Sequence, residues 1–292
     1  MFKLLIVFFV TLFFYSSSFA STFFGEKFDL PVSDTAISYD GNKIVYLKSG
    51  NGKKSIVFVH GWSCVKEFFA NQKALLNDEY TTYFIDLAGH GQSSSDRTDW
   101  SQQNFAYDVM SVIEKEKIEN PILAGHSMGG TVIALTAQLL KSKAAGLIVI
   151  DSYFNADFIP TQNQIDYFSS PFEKDFDSAV NSMMDMMFYK DVDPELKKYV
   201  HSVMGGQNPR RGAIIYRKMW DVNMPSLLKT ISMPITLING DLFNTNQDAV
   251  KKYTKYPKIS IIKGSGHFPM MEKPEEFNKA FVETVKFLES LN

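Results

Sequence analysis

Short apolar runs alternate along the chain with stretches of helix-like spacing. Eight runs have the length and the β-branched or aromatic composition of strands. They cover residues 35–39, 43–47, 55–59, 80–85, 121–124, 146–150, 234–238 and 259–262. The first two alternate around a turn at residues 40–42 and predict an antiparallel hairpin. Most of the others are apolar throughout, which predicts an α/β fold with a mostly parallel sheet covered by helices on both faces.

The spacing of apolar positions predicts helices between these strands. In the middle of the chain the alternation of strands and helices stops. The helical stretches outside the middle are 68–76, 101–117, one starting near Thr131, and 277–288. Between residues 152 and 228 no strand-like run occurs. That segment holds three helix-like pieces, at residues 173–188, 194–204 and 211–220. We therefore predict a helical cap, residues 152–228, inserted into a core domain formed by residues 21–151 and 229–292.

The first twenty residues have the pattern of a secretory signal peptide. Lys3 is followed by an apolar run at residues 4–15 and by small residues before Ala20. A membrane-spanning helix needs about 20 apolar residues, and this run is shorter. We expect cleavage after Ala20, export to the periplasm or the medium, and no stable membrane anchor afterwards.

Composition narrows the range of partners. The hydrophobic fraction of 45% and the charged fraction of 21% are those of an ordinary globular protein. A formal net charge of −2 offers neither a basic face for nucleic acid nor a polybasic membrane patch. The single cysteine, Cys64, excludes an internal disulfide and is expected to be a small buried apolar residue.

The segment Gly125–Gly130 carries the strongest chemical signal. It reads Gly-His-Ser-Met-Gly-Gly, between an apolar run and a helical stretch, which is the G-x-S-x-G pattern of a nucleophile elbow. Such a turn strains the serine backbone and needs small neighbours. It lifts the hydroxyl above the sheet edge, in front of a helix N-terminus. Ser127 is the predicted nucleophile.

A serine needs a general base, and the chain has five histidines. His267 follows the last predicted strand in a glycine-rich loop, so it should lie at the same sheet edge as Ser127. We assign it as the base. The others are His60 and His90, expected to brace loops, His126, expected to point inward, and His201, expected on the cap surface. None of the five has the helical spacing of a zinc site, and no metal is expected.

Four segments in this order resemble the α/β-hydrolase superfamily, in its group of serine esterases, lipases and epoxide-hydrolase-like proteins. They are residues 60–62, 86–93, 125–130 and 264–267, the last followed by 271–275. The resemblance covers nearly all of residues 21–292. It implies an oxyanion hole made by the backbone N–H groups of Trp62 and Met128, and no cofactor.

The superfamily offers two positions for the acid of the triad. The family usually takes it from the loop after the penultimate strand, three residues past a glycine, but Phe243 stands at that place and Asp241 is nearby. The other position used in the superfamily, as in some haloalkane dehalogenases, follows the strand after the elbow helix, where this chain has Asp151. We favour Asp151, with Asp241 as the alternative and Asp248 third.

These features predict an exported serine hydrolase that cleaves an ester, lactone or related acyl bond. Haloalkane dehalogenases and epoxide hydrolases use a carboxylate nucleophile, so Ser127 excludes their chemistry. Methionines and aromatic residues in the cap predict a small, partly hydrophobic acyl substrate. The alternatives are a ligand-binding protein of the same fold with little turnover, a proline-type aminopeptidase, a C–C bond hydrolase and an acyltransferase.

Overall fold

The computed structural model describes residues 33–76, 78–141 and 143–291. The predicted signal peptide, residues 1–20, lies outside the described residues. Eight strands form one sheet. They are β1 (Ser33–Ile37), β2 (Lys43–Ser49), β3 (Lys54–Val59), β4 (Tyr80–Ile85), β5 (Ile122–His126), β6 (Gly146–Ile150), β7 (Ile235–Gly240) and β8 (Lys258–Ile262).

The sheet has the order β1-β2-β4-β3-β5-β6-β7-β8. The β1–β2 hairpin and the β2–β4 pair are antiparallel, and all other neighbours are parallel. The α/β fold class predicted from the sequence is confirmed. Strand β5 lies inside the sheet, with Gly125 opposite Val59 of β3 and Val149 of β6. The end of β5 is therefore held on both sides, which fixes where the following turn projects.

Helices flank the sheet and fill the insertion between β6 and β7. The core helices are α1 (Gln102–Lys115), α2 (Met128–Leu139), α8 (Gln247–Lys251), α9 (Pro269–Glu272) and α10 (Pro274–Glu289). The insertion holds α3 (Gln162–Lys174), α4 (Phe176–Met187), α5 (Pro194–Gly205), α6 (Pro209–Lys218) and α7 (Met224–Leu228). In the described ranges, no helix combines the length and the apolar character that crossing a bilayer requires.

Two predicted helices differ from the structure. The helix predicted at 68–76 is a 3-10 helix, Lys66–Gln72, interrupted at Phe69, whose backbone is not helical (φ −99°, ψ 15°). The helix near Thr131 begins earlier, at Met128, because it follows directly from the turn at Ser127.

The long cap helix predicted at 173–188 is also wrong, because two helices meet there. Asp175 has an extended backbone (φ −151°, ψ 93°), which ends α3. Its carboxylate accepts a hydrogen bond from the Ser178 N–H at 3.1 Å and so caps α4. Asp175 therefore ends one helix and caps the next while the helical spacing of apolar residues continues across it. For this reason the spacing predicted a single helix.

The core is rich in stacked aromatic rings. Phe58 of β3 lies 4.7 Å from the Phe84 ring and 5.2 Å from the Phe281 ring of α10, which joins sheet and helix. Cys64 is buried, and burial raises the pKa of its thiol, so it behaves as a small core residue.

Trp62 fastens the cap to the core. Its indole Nε1–H donates to the carbonyl oxygen of Gly212 in α6 at 2.9 Å. Its ring packs edge-on against Phe172 and Tyr216, both from the cap. The loop that follows β3 thus ties the insertion down beside the end of β5.

Candidate active site

Ser127 occupies a strained turn between β5 and α2. Its backbone has φ 52° and ψ −118°, which an L-residue rarely adopts. The neighbouring glycines are required by contact: a Cβ at Gly125 would lie 2.3 Å from the Gly129 oxygen, and one at Gly129 would lie 2.4 Å from the Val59 oxygen. The Ser127 N–H donates to the Ile150 oxygen at 2.9 Å, which ties the turn to the end of β6.

His267 is paired with Asp151. The Nδ1–H of His267 donates to Oδ2 of Asp151 at 2.6 Å, and both side chains are buried. Because an ionised carboxylate only accepts, this contact sets the tautomer with the proton on Nδ1 and leaves Nε2 as an acceptor. A histidine in that state can take a proton from a hydroxyl group.

Asp151 is held rigidly by β7. Its other carboxylate oxygen, Oδ1, accepts from the Gly240 N–H at 2.7 Å, and its own N–H donates to Ile238 at 3.0 Å. Its φ of 43° places it in the left-handed region, where a non-glycine residue is uncommon. These contacts fix the orientation of the carboxylate that faces His267.

The other candidate acids lie elsewhere. Asp241 Oδ1 accepts from the Gly264 N–H at 2.8 Å and from the Tyr189 hydroxyl at 3.0 Å. Asp248 is exposed and pairs with Lys251 in α8. Neither side chain contacts His267 in the part of the chain that the structure describes.

The backbone of His267 is held by the core and by the cap. His126 donates from Nε2–H to the His267 carbonyl oxygen at 2.7 Å. The His267 N–H donates to the Met187 oxygen, at the end of α4, at 2.8 Å. The backbone of His267 is therefore held by β5 and by the cap, and its imidazole by Asp151 at the end of β6.

Glu272 braces the two residues that flank His267. Its Oε2 accepts from the Gly266 N–H at 2.9 Å and its Oε1 from the Phe268 N–H at 2.8 Å. Burial raises the pKa of this carboxyl, and the two N–H groups counter that shift. In the sequence, Glu272 belongs to the segment 271–275, and that pattern predicts no role for it.

The remaining histidines make structural contacts. His60 accepts from the Leu87 N–H through Nε2 and donates from Nδ1 to its neighbour's carbonyl. Burial lowers its pKa to about 4 and lowers the pKa of His90 and His126 well below the usual value. His201 contacts Asn181 within the cap. The described residues contain no group of three or more His, Cys, Asp or Glu side chains that could hold a metal ion.

The residues expected to form the oxyanion hole, Met128 and Trp62, directly follow Ser127 and its close neighbour Gly61. Met128 is the first residue of α2, so its N–H lies at the positive end of the helix. Gly61 is close to the nucleophile, since a Cβ there would lie 3.0 Å from the Ser127 Cβ. Two such donors could bind an oxyanion that develops beside Ser127.

Ser127, Asp151 and His267 line one cavity of about 400 Å³ between core and cap. Ser127 Oγ makes no hydrogen bond with His267 among the described residues. Such contacts are often long without substrate and shorten when it binds. The wall is mainly apolar, and its larger members are Phe154, Phe158, Phe168, Met219, Trp220 and Met224. The methionine run of α4 lies outside this wall; Met183 and Met184 are buried instead.

Comparison with known proteins agrees with this architecture. Residues 56–280 match the model of the alpha/beta hydrolase family. Among solved structures, the esterase EaEST from Exiguobacterium antarcticum superposes with a TM-score of 0.76 and 20% identity, over 87% of this chain and all of that chain. At that identity the likeness concerns the fold.

Two curated relatives differ in what their names describe. A protein of Petunia hybrida called Karrikin insensitive 2 receptor IA is 22% identical, over 77% of this chain and 88% of its own. Putative esterase/lipase 3 of Mycoplasma pneumoniae is 26% identical, over 80% of this chain and 88% of its own. The names of these two relatives thus describe a receptor and an esterase or lipase.

Proposed function

Because this chain belongs to the alpha/beta hydrolase family, we propose that it is an exported serine hydrolase that cleaves an ester, lactone or related acyl bond. The observation that carries the proposal is the 2.6 Å contact between His267 and Asp151, at the cavity that Ser127 also lines. In this proposal Ser127 is the nucleophile, His267 the base and Asp151 the orienting acid, each from a separate loop. The esterases among the relatives support the same reaction class.

In the proposed reaction His267 activates Ser127. Substrate enters the cavity, and Nε2 of His267 accepts the Ser127 hydroxyl proton as Oγ attacks the acyl carbonyl carbon, whose oxygen takes up the negative charge. Asp151 accepts from Nδ1–H and stabilises the imidazolium that forms. Because Asp151 is fixed by β7, the imidazole keeps its orientation through the proton transfer.

The tetrahedral intermediate carries its negative charge on the former carbonyl oxygen. The Trp62 and Met128 N–H groups donate to this oxygen, and each such donor is worth about 3 kcal/mol in the transition state. His267 then gives its Nε2 proton to the leaving oxygen, which departs as an alcohol. Water then gives a proton to the same nitrogen and attacks the acyl-Ser127 ester. The acid departs as the bond to Oγ breaks, and Nε2 returns the proton to Ser127.

A second candidate is a ligand receptor with little turnover. The receptor from Petunia hybrida favours it, because that relative matches most of this chain. The two functions differ in what happens after Ser127 meets a ligand: a hydrolase turns over repeatedly, whereas a receptor releases little product.

Labelling with a fluorophosphonate tests the activated serine. We expect one adduct by intact mass on the purified protein, none on Ser127→Ala, and an unchanged adduct on Ser152→Ala. Ser152 lines the same cavity and is the matched control. Turnover of an acyl-chain series of esters would then separate hydrolase from receptor. Absence of labelling in a folded sample would contradict the hydrolase proposal.

We also propose that the protein is exported, on the strength of the apolar run at residues 4–15. The protein recovered from the periplasm or medium should then begin at Ser21 by N-terminal sequencing. Recovery of the uncleaved chain in the cell interior would contradict export and leave the proposed chemistry untouched.

A further inference from the structure

Two residues that line the cavity carry buried polar atoms without hydrogen-bond partners. Gln102 is 1% exposed, and neither its Oε1 nor its Nε2 has a hydrogen-bond partner. Trp220 Nε1 is likewise buried and without a partner. Both residues line the cavity that contains Ser127 and His267.

The local structure does not use the Gln102 side chain. Gln102 is the first residue of α1, but the cap of that helix is Ser101, whose hydroxyl accepts from the Asn104 N–H. Asn104 is itself bonded to Asp99. The side chains of Ser101 and Asn104 are therefore paired, and that of Gln102 is not.

Such an arrangement is costly for the fold. A buried polar group without a partner costs about 1–3 kcal/mol, and native structures contain few of them. Several described residues carry buried polar atoms without partners, and Gln102 and Trp220 are the two among them that line the catalytic cavity. Their location indicates that a ligand supplies the missing partners.

The chemistry of these atoms restricts the ligand. Gln102 offers a donor and an acceptor, and Trp220 offers a donor only. Besides His267, the titratable residues lining the cavity are Asp151 and Tyr153. The Asp151 carboxylate is occupied by His267 and Gly240, and the Tyr153 hydroxyl donates to the Gly130 carbonyl oxygen at 2.6 Å. With no opposite charge to meet it, a charged ligand group would be buried unpaired. The matching group is uncharged and both accepts and donates.

We propose that Gln102 and Trp220 bind an amide or hydroxyl group on the non-reacting part of the substrate. For an amide, the Trp220 Nε1–H donates to its oxygen and its N–H, on the opposite side, donates to Gln102 Oε1. For a hydroxyl, the Trp220 Nε1–H donates to its oxygen and its O–H donates to Gln102 Oε1. The inference rests on the proposed function: it adds a polar recognition point to an otherwise apolar acyl ester or lactone. Both are binding residues that select the substrate and take no part in proton transfer.

Matched esters test this subsite on either side of the scissile bond. On the acyl side, the p-nitrophenyl ester of N-acetylglycine is compared with that of pentanoic acid, which has the same length. On the alcohol side, 2-acetamidoethyl and 3-hydroxypentyl butanoate are compared with pentyl butanoate. The readout is the ratio of kcat/KM for the polar ester to that for its plain partner.

We expect the wild type to prefer a polar ester on at least one side by about 10-fold or more, since a tenfold ratio corresponds to one hydrogen bond of ordinary strength. Gln102→Leu and Trp220→Phe should each lower that ratio by about 10-fold. Gln103→Leu, one residue along the same helix and outside the cavity lining, should leave it unchanged. The alcohol-side pair also distinguishes amide from hydroxyl recognition.

Thermal unfolding separates binding from a structural role. Gln102→Leu removes an unpartnered buried amide, so its melting temperature should equal or exceed that of the wild type. A lower melting temperature with an unchanged ester ratio would overturn the inference, as would a wild type without preference on either side.

Failure of the proposed function gives a different result. If no ester is hydrolysed in a Ser127-dependent way, the hydrolase proposal fails and the subsite is judged by binding. N-butylacetamide should then raise the melting temperature of the wild type and of Gln103→Leu, but not of Gln102→Leu. Equal shifts in all three proteins would overturn the subsite as well.

Discussion

His267 and Asp151 are joined by a 2.6 Å hydrogen bond across 116 residues of sequence. The contact links the end of β6 with the loop after β8, and β7 lies between those two strands in the sheet. Asp151 crosses the gap because its left-handed backbone turns the carboxylate over the end of β7, where the Gly240 N–H fixes it.

Asparagine at position 151 should remove most of the activity. Its Nδ2 cannot accept from His267 Nδ1–H, so the imidazole loses the tautomer that a base requires, and kcat should fall by about 10³- to 10⁴-fold. Asp241→Asn is the control, because Asp241 contacts Gly264 and Tyr189 instead. Steady-state kinetics on one ester decides between them, and equal, mild losses in both variants would contradict the assignment.

Replacement of Ser127 should separate activity from stability. Ser127→Ala should lower kcat by roughly 10⁴- to 10⁶-fold, since the remaining groups give only residual catalysis. Ser127→Gly should be equally inactive but more stable than Ser127→Ala by about 1 kcal/mol, because glycine relieves the strain at φ 52°. Calorimetry of wild type and both variants measures this, and a Gly variant less stable than the Ala variant would refute the strain argument.

Glu272→Gln should weaken catalysis through the position of His267. The amide of glutamine has one acceptor oxygen, so one of the Gly266 and Phe268 N–H groups loses its partner. We expect kcat to fall by about 10- to 100-fold with little change in KM, because the cavity wall is not altered. The control is Glu275→Gln, an exposed position in the first turn of α10. A rise in KM with unchanged kcat would contradict a positioning role.

Buried neutral histidines should make the fold sensitive to acid. The pKa of His60 is lowered to about 4 by burial, so the unfolded chain takes up its proton first as the pH falls. The stability that neutral His60 contributes to the folded state is complete above about pH 6.5 and is lost as the pH drops through about 4. The loss in the free energy of unfolding amounts to at most about 3 kcal/mol.

The acid sensitivity can be traced to single residues. His60→Gln keeps an acceptor for the Leu87 N–H and a donor for the Gly61 carbonyl, and it does not titrate. Its unfolding free energy, measured by denaturant titration between pH 7.5 and 4, should therefore fall less steeply than that of the wild type. Parallel slopes would show that His60 does not carry the effect.

Local sequence patterns predicted the turn at Ser127 and the loop that holds His267, because short-range backbone geometry determines both. The G-x-S-x-G spacing predicted the turn at Ser127, because only glycine fits where the β3 backbone approaches. The end of the last strand predicted where His267 lies. The parallel sheet also followed from the apolar runs.

Other features depend on tertiary contacts that spacing does not encode. Asp151 and Asp241 both follow strands whose ends are adjacent, and only the direction of each carboxylate separates them. Gln102 carries no signal at all, since a glutamine after a serine cap is ordinary at a helix start. Asp175 restarts a helix within an unbroken apolar period, which the sequence therefore predicted as one helix.

The hydrogen bond from the His267 N–H to the Met187 oxygen couples the cap mechanically to the base. No side chain fits between them, since a Cβ at Gly266 would lie 2.2 Å from that same oxygen. Any outward swing of the C-terminal turn of α4 must break this bond or pull the imidazole away from Asp151. The placement of His267 therefore depends on the position of the insertion as well as on the core strands.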